Sequence, residues 1–278
     1  ACNTAGGRRI SSFAAGQPKM LITSTKNEIV KSVRRLRDRS ARRESGQHLI
    51  EGERLVFGAL EAGIVPETLF IEQGRTDFEA RVSALGAEFF SVSRAVLETV
   101  CDTSAPQGIA AAVRTPDLTA PESAEDFPHG LIAALDALQD PGNLGTIIRT
   151  ADAMGAAAVL LGTGSTDAFS PKALRAAMGS TYHLRIFQCE LSETLPKLRE
   201  SGFSLVCGHL AGEERLPTLN RDCVIVIGNE ANGVSDGIAR LCSLCRLPML
   251  GRAESLNASA AASILIFETA KKINGIEF

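Results

Sequence analysis

Six short and almost entirely apolar runs follow one another in the second half of this chain, and helical patterns separate most of them. They are LIAALDAL (131–138), AAVLLG (157–162), LRIF (184–187), FSLVCG (203–208), CVIVIG (223–228) and LCRLPM (244–249). A strand that is apolar on both faces has to be covered on both faces, and parallel strands are joined by helical crossovers. The pattern therefore predicts an α/β fold with a mostly parallel sheet and helices on both of its faces.

The first part of the chain predicts a smaller α/β domain. Its apolar runs and helical patterns alternate, with strands expected at 69–72, 88–93 and 108–113 and helices at 53–62, 77–85 and 94–101.

The segment between the two units, TPDLTAPESAEDFPHG (115–130), has three prolines, four acids and no period, which is typical of a linker. We therefore divide the chain into an amino-terminal domain at 21–115, a linker at 116–129 and a carboxy-terminal domain at 130–278. Residues 1–20 lack apolar periodicity, so we expect a disordered arm or a non-native remnant there.

The overall composition limits the classes of function. The 278 residues carry a formal net charge of −3, so a contact with nucleic acid needs a local basic patch. The seven cysteines are scattered and odd in number, unlike a disulfide framework, and no apolar run approaches the ~20 residues of a membrane span. We expect a cytoplasmic protein with no membrane contact and no bound metal.

A basic patch lies in residues 26–43, where eight Lys and Arg residues are opposed by only two acids. On one continuous helical wheel Lys31, Arg35, Arg39 and Arg42 fall within about a quarter turn of each other, opposite an apolar side. A solvated charged face is the commoner fate of such a helix, but the imbalance of charge makes a contact with phosphates a live hypothesis. The candidate nucleic-acid-binding residues are Lys31, Arg34, Arg35, Arg39 and Arg42.

Several familiar motifs are incomplete. GTGSTD (162–167) follows a strand as a dinucleotide-binding turn does, but Asp167 stands where a third glycine is needed. Cys242 and Cys245 form a C-x-x-C without a second pair at zinc spacing, so we interpret them as structural. No metalloprotease or serine-hydrolase motif includes any of the four histidines, His48, His129, His183 and His209.

Three polar turns follow three of the predicted strands. DPGNLGTIIRTADAMG (140–155) places a Pro-Gly-Asn turn before a helix that carries Arg149 about two turns in. VIVIGNEANGVS (224–235) ends a strand at Gly228 and continues with polar residues, and LPMLGRAESLNASAAASILIFE (247–268) begins a helix after a loop. Each could be an ordinary turn, but ligands gather at the carboxyl ends of strands in α/β sheets, so three such turns favour one common site.

Together these three segments resemble the SpoU family of RNA ribose 2′-O-methyltransferases, within the SPOUT superfamily. The matching residues are Asn143 and Arg149 in the first segment, Gly228, Glu230 and Gly233 in the second, and Pro248, Met249, Ser255, Leu256, Asn257 and Ser259 in the third. One mild departure is Ala258, where a larger aliphatic residue is common. The unit in front resembles the substrate-binding domain that precedes the catalytic domain in many members.

The resemblance implies S-adenosylmethionine as the methyl donor, a deep trefoil knot near the carboxyl end and a homodimer through the carboxy-terminal domain. It implies an RNA substrate, with rRNA favoured and tRNA as the alternative. The cofactor-binding residues that it indicates are Gly208, Gly228, Asn229, Gly233, Leu247, Met249, Leu256 and Ala258. The catalytic residues that it indicates are Asn143, Arg149, Glu230, Ser255 and Asn257.

The side chains indicate how these residues could act. A ribose hydroxyl is a poor nucleophile, so its oxygen must be placed in line with the methyl group and its proton drawn away or stabilised. A guanidinium is a reluctant base, so we assign Arg149 to phosphate anchoring and alkoxide stabilisation. Asn143, Ser255 and Asn257 suit the orientation of ribose and of Arg149. Glu230 could hold either Arg149 or a backbone amide.

Two other classes of protein stay open at this point. A nucleotide-dependent oxidoreductase would need the complete glycine fingerprint, and the broken GTGSTD argues against it. A non-catalytic RNA-binding protein would not need the five polar side chains. Because all five are present, we expect an active enzyme.

Overall fold

A computed structural model of the chain describes residues 18–252 and 255–276. The chain divides into two compact units between Arg114 and Thr115. Most of the predicted arm, residues 1–17, lies outside the described residues. At the end of that arm, the backbone N–H of Lys19 donates to the carbonyl of Phe89 (2.9 Å), so the chain already follows the edge of the first sheet there.

The amino-terminal unit is a five-stranded mixed sheet with helices, counted over the described residues. Its elements are β1 (Leu21–Ile22), α1 (Glu28–Arg35), α2 (Arg39–Ser45), β2 (Gln47–Glu51), α3 (Glu53–Glu61), β3 (Thr68–Glu72), α4 (Thr76–Ala84), β4 (Phe90–Val92), α5 (Arg94–Val100) and β5 (Ile109–Arg114). The strand order is β1-β4-β3-β5-β2, with β5 antiparallel to both of its neighbours. The strands and helices predicted between 53 and 113 are all present. Strand β2 was not expected, because its sequence QHLIE has few apolar residues and includes His48, a polar residue that the structure buries.

The basic segment of residues 26–43 forms two helices and not one, because the chain turns at residues 36–38. Arg42 holds this turn. Its Nη1 donates hydrogen bonds of 2.8 Å to the carbonyl oxygens of Leu36 and Arg37, and the residue is only 7% exposed. The prediction that Arg42 lies on the exposed basic face is therefore wrong, since one helical wheel cannot describe a segment that changes direction. The other four candidates are exposed: Lys31, Arg34, Arg35 and Arg39.

The carboxy-terminal unit is a six-stranded sheet in the described part of the chain, and every neighbouring pair of strands is parallel. Its elements are β6 (Leu131–Leu135), α6 (Pro141–Ala153), β7 (Ala158–Gly162), α7 (Pro171–Ala177), β8 (Arg185–Cys189), α8 (Leu191–Glu200), β9 (Ser204–Glu213), β10 (Cys223–Ile227), α9 (Asp236–Ala239), β11 (Ser243–Cys245) and α10 (Ala258–Asn274). The strand order is β11-β9-β10-β6-β7-β8. The parallel α/β sheet predicted from the apolar runs is thus confirmed.

Helices cover both faces of this sheet. Leu191, Leu195 and Leu198 of α8 pack against one face, while α10 crosses β10 and β6 on the other and runs beside α6. The last strand is shorter than its apolar run of 244–249: it ends at Cys245, and the N–H of Arg246 still donates to the carbonyl of Glu213 (2.8 Å). Within the described residues, no helix is both long enough and apolar enough to cross a bilayer.

Residues 116–129 are not a free linker. Phe127 is buried in the core of the carboxy-terminal unit and meets Phe187 edge to face, with 5.7 Å between the ring centres. The backbone N–H of Gln188 donates to the carbonyl of Leu118 (2.6 Å), which adds a short bridge beside β8. The linker prediction is wrong because prolines and acids report local backbone preferences, whereas a single buried aromatic ring decides where the segment packs.

The strand order also determines where a ligand can bind. From β6 the chain continues to β7 on one side, and from the adjacent β10 it continues to β11 on the other. Open α/β sheets bind ligands in the crevice where neighbouring strands diverge in this way. The loops after β6 and β10, which contain two of the three predicted motifs, leave the sheet at this crevice.

Candidate cofactor and substrate site

One carboxylate joins the loops that follow β6 and β10. Glu230 accepts hydrogen bonds from the backbone N–H groups of Gln139 (3.1 Å) and Asp140 (2.9 Å) and from Nδ2 of Asn143 (3.1 Å). Of the two partners expected for Glu230, backbone amides are observed. Arg149 is not bonded to it in the described structure.

The start of α6 is organised by Asp140. Its side chain caps the helix by accepting from the backbone N–H of Asn143 (2.9 Å), and its second oxygen accepts from Nζ of Lys172 (2.7 Å). The lysine first, and the cap second, lower the pKa of Asp140 below its ordinary value. Asn143 therefore lies in the first helical turn, which leaves its side chain free to reach Glu230.

The charge of Glu230 is stabilised by the same contacts. Partial burial raises the pKa of this carboxyl, but the hydrogen bonds from Asp140, Asn143 and Gln139 together outweigh burial, and the net pKa is lowered. At neutral pH the group is an anion that acts as an acceptor between two loops.

A tight hairpin follows β10. The backbones of Asn229 and Gly233 exchange two hydrogen bonds of 2.9 Å, and a side chain at Gly228 would place its Cβ 2.0 Å from the carbonyl carbon of Gly233. Asn229 holds the hairpin with its own side chain, which donates to the carbonyl of Ala137 (2.8 Å) and accepts from the N–H of Ala231 (2.9 Å). Only glycine fits at Gly228, because backbone passes directly over it.

The third motif caps α10. Oδ1 of Asn257 accepts from the backbone N–H and the hydroxyl of Ser259 (2.9 and 2.7 Å) and, more weakly, from the N–H of Ala260 (3.4 Å). Asn257 is thus an N-cap residue, and its Nδ2 is left to donate elsewhere. Ser255 is exposed just before the cap.

The second and third motifs enclose a cavity of about 380 Å³ at the carboxyl ends of β9, β10 and β11, and the first motif is linked to it by the hydrogen bond from Asn143 to Glu230. Its wall includes all the predicted cofactor residues, together with Glu230 and Ser255: Gly208, Gly228, Asn229, Gly233, Leu247, Met249, Leu256 and Ala258. His209 and Arg246 also line the cavity and were not among the predicted residues. Neither belongs to a motif, and no signal in the sequence marks them.

The remaining predicted catalytic residues lie outside the cavity wall. Asn143 touches it indirectly through Glu230, and Asn257 sits behind the start of α10. Arg149 is exposed on α6 and is not among the lining residues. The described chain therefore brings two of the five catalytic candidates, Glu230 and Ser255, to the cavity itself.

The cysteines near this site serve as packing groups. Cys245 lies in the cavity wall, where burial raises the pKa of its thiol, and Cys242 packs on the core. No cluster of three or more His, Cys, Asp or Glu side chains suited to a metal ion occurs in the part of the chain that the structure describes.

A parallel sheet with a glycine-lined, largely apolar cavity where its strands diverge defines an α/β enzyme that binds a nucleotide-like cofactor. A model of the SpoU rRNA Methylase family matches residues 130–267, and a model of the MRM3-like substrate binding domain matches residues 27–111. The chain belongs to the SpoU rRNA methylase family.

Named relatives share both units of the chain. It is 35% identical over 251 residues to the 23S rRNA (guanosine(2553)-2′-O)-methyltransferase RlmP of Bacillus subtilis, covering 88% of this chain and 97% of that protein. It is 30% identical over 296 residues to the mitochondrial rRNA methyltransferase 3 of Mus musculus, covering 86% and 70%. The crystal structure of an AdoMet-bound rRNA methyltransferase from Sinorhizobium meliloti superposes with a TM-score of 0.79 at 33% identity, covering 91% and 97%.

Proposed function

We propose that this protein transfers a methyl group from S-adenosylmethionine to a ribose 2′-hydroxyl of ribosomal RNA. The observation that carries the proposal is that every predicted cofactor residue lines one cavity, beside Glu230 and Ser255. The named functions of RlmP and of the AdoMet-bound relative support the same reaction. A tRNA substrate is the alternative.

The cavity suits the cofactor. About 380 Å³ is within the range of small-molecule sites, and the wall combines apolar side chains with backbone groups of tight loops. S-adenosylmethionine supplies an electrophilic methyl group when bound. The backbone at Gly228, Leu247 and Leu256 would hold its adenosyl part, while the apolar side chains of the wall would exclude water.

The chain's own polar groups orient the substrate. Ser255, at the cavity wall, and Nδ2 of Asn257 position the ribose. The anion of Glu230 holds Asn143 and the loop after β6 in place. Arg149 anchors a phosphate and stabilises the negative charge that develops on the 2′-oxygen as the hydroxyl proton passes to solvent water.

A homodimer completes the site. Leu250 and Leu210 are 99% and 70% exposed at the cavity end of the sheet, and Ile264 and Phe267 are exposed on α10, which supports a partner surface there. Arg149 does not line its own cavity, so the proposed dimer brings it to the cavity of the second subunit.

A trefoil knot near the carboxyl end is part of the proposal. The match to the SpoU rRNA Methylase family over residues 130–267 supports it.

The amino-terminal domain contributes the RNA contact. Lys31 and Arg35 pair with Glu28 and Glu44 but remain largely exposed, and Arg34 and Arg39 form no ion pair among the described residues. Such side chains are available to phosphates. A cytoplasmic location also stays a prediction.

The test is transfer of tritium from S-adenosyl-[methyl-³H]methionine to purified ribosomal RNA or tRNA. We expect labelled rRNA with the wild-type protein. Arg149→Ala should abolish transfer while the protein stays folded, dimeric and able to bind cofactor. Near-normal activity of this variant would overturn the catalytic assignment, and RNA binding without any transfer by the wild type would favour the non-catalytic class.

A further inference from the structure

His209 is a cavity residue to which the motifs assign no role. It follows Gly208 on β9, is partly buried, and lines the cavity wall with Glu230 and Arg246. The guanidinium of Arg246 is already bonded to Glu214 (2.7 Å). His209 therefore offers the cavity a polar side chain that no ion pair in the described structure engages.

The local backbone explains why this residue leaves the sheet. Leu244 of β11 pairs with Cys207, but the next residue, Cys245, pairs with Glu213. Residues 208–212 of β9 therefore stand outside the ladder and bulge toward the carboxyl ends of the strands. Gly208 allows this bulge to lie against α10, since an added Cβ would be 2.7 Å from Cδ1 of Leu265.

A hydrogen bond within the bulge identifies Nδ1 as the accepting ring nitrogen of His209. The backbone N–H of Ala211 donates to Nδ1 of His209 over 3.1 Å. A ring nitrogen that accepts carries no proton, so the neutral ring has its proton on Nε2. The turn thus fixes the imidazole as a donor at its far nitrogen.

We infer that His209 is a cofactor-binding residue whose Nε2–H donates a hydrogen bond to an acceptor atom of S-adenosylmethionine. The inference rests on the proposed function. The acceptor belongs either to the adenosyl part or to the methionine carboxylate, and both are oxygen- or nitrogen-rich groups that a neutral N–H donor fits.

Two substitutions separate this role from the role of the turn. His209→Asn keeps an acceptor for the N–H of Ala211, because an Asn side chain bonds the backbone two residues on, but it removes the far donor. His209→Gln removes the turn acceptor and carries an amide N–H near the position of Nε2. Wild type, Asn, Gln and Ala variants are titrated with S-adenosylmethionine and with methylthioadenosine, which lacks the amino-acid part.

We expect the Asn variant to bind S-adenosylmethionine at least roughly fivefold more weakly than wild type, the loss of one hydrogen bond, and the Gln variant to bind more tightly than Asn. If the Asn variant loses as much affinity for methylthioadenosine as for S-adenosylmethionine, the acceptor belongs to the adenosyl part. If its affinity for methylthioadenosine is unchanged, the acceptor is the methionine carboxylate. An Asn variant with wild-type affinity, or a Gln variant no better than Asn, would overturn the inference. Wild-type protein that binds no S-adenosylmethionine would instead refute the proposed function.

Discussion

Replacing Gly228 by alanine tests whether the hairpin after β10 forms the cofactor site. The added Cβ would lie 2.0 Å from the carbonyl carbon of Gly233 and 2.1 Å from the N of Val234, whereas ordinary contact begins near 3.4 Å. The hairpin backbone must therefore retreat by about 1.4 Å. Because these are backbone atoms, no side-chain rotation can relieve the contact.

We expect Gly228→Ala to impair the cofactor site more than it destabilises the fold. Overpacking of this kind destabilises by about 1–3 kcal/mol. A misplacement of about 1 Å in a group that positions the reactants can cost about 100-fold in rate. We expect Gly228→Ala to lower the rate of methyl transfer by about that factor and to weaken S-adenosylmethionine binding in isothermal titration, with a modest fall in the melting temperature.

Gly237→Ala is the matched control. It makes the same chemical change in α9 of the same unit, but its added Cβ meets nothing within 4 Å. We expect unchanged affinity and a stability equal to or slightly above wild type. If Gly228→Ala binds the cofactor as well as Gly237→Ala does, the hairpin is not the cofactor wall.

Two further predictions concern charge. Folding lowers the pKa of Glu230, so the stability that this carboxylate contributes is present above its ordinary pKa and is lost as the pH falls through the lowered pKa. The difference in urea midpoint between wild type and Glu230→Gln should therefore shrink from about pH 6 to about pH 3. A difference that does not change with pH would contradict this. Arg39→Ala should weaken RNA binding and reduce the slope of log K against log salt by about 1 with no change in stability. Arg42→Ala should lower the free energy of unfolding by about 2 kcal/mol because it unpins the turn between α1 and α2. Equal effects of Arg39→Ala and Arg42→Ala on both RNA binding and stability would refute the assignment of different roles to the two arginines.

The sequence predicts this fold well where one residue pattern has one structural meaning. Runs such as CVIVIG can only be strands covered on both faces, and β10 is buried throughout. Prediction failed where a distant contact decides. Phe127 draws a linker-like segment into the core, and the carbonyls of Leu36 and Arg37 draw in Arg42. Composition and helical wheels contain no information about such contacts.

The site shows the same limit. The pattern of polar turns after parallel strands predicted one common site, because the carboxyl ends of such strands share one edge, and the resemblance to the SpoU family indicated the residues of the cavity wall. It did not predict which partner Glu230 would take, since that depends on how closely two loops approach. His209 was missed because it reaches the cavity through a bulge in β9, and the bulge follows from pairing with β11 and not from local sequence.

The motif side chains divide into those that build the loops and those left for RNA. The side-chain oxygens of Asn229, Asn257 and Asp140 accept hydrogen bonds from nearby backbone N–H groups. A substitution at any of them therefore removes about 1 kcal/mol of stability together with any contribution to methyl transfer. Among the described residues, the side chains of Arg149 and Ser255 make no hydrogen bond, and both are exposed. Variants at these two positions should therefore change methyl transfer at constant stability, which makes them the positions where a loss of activity is separated from a loss of folding.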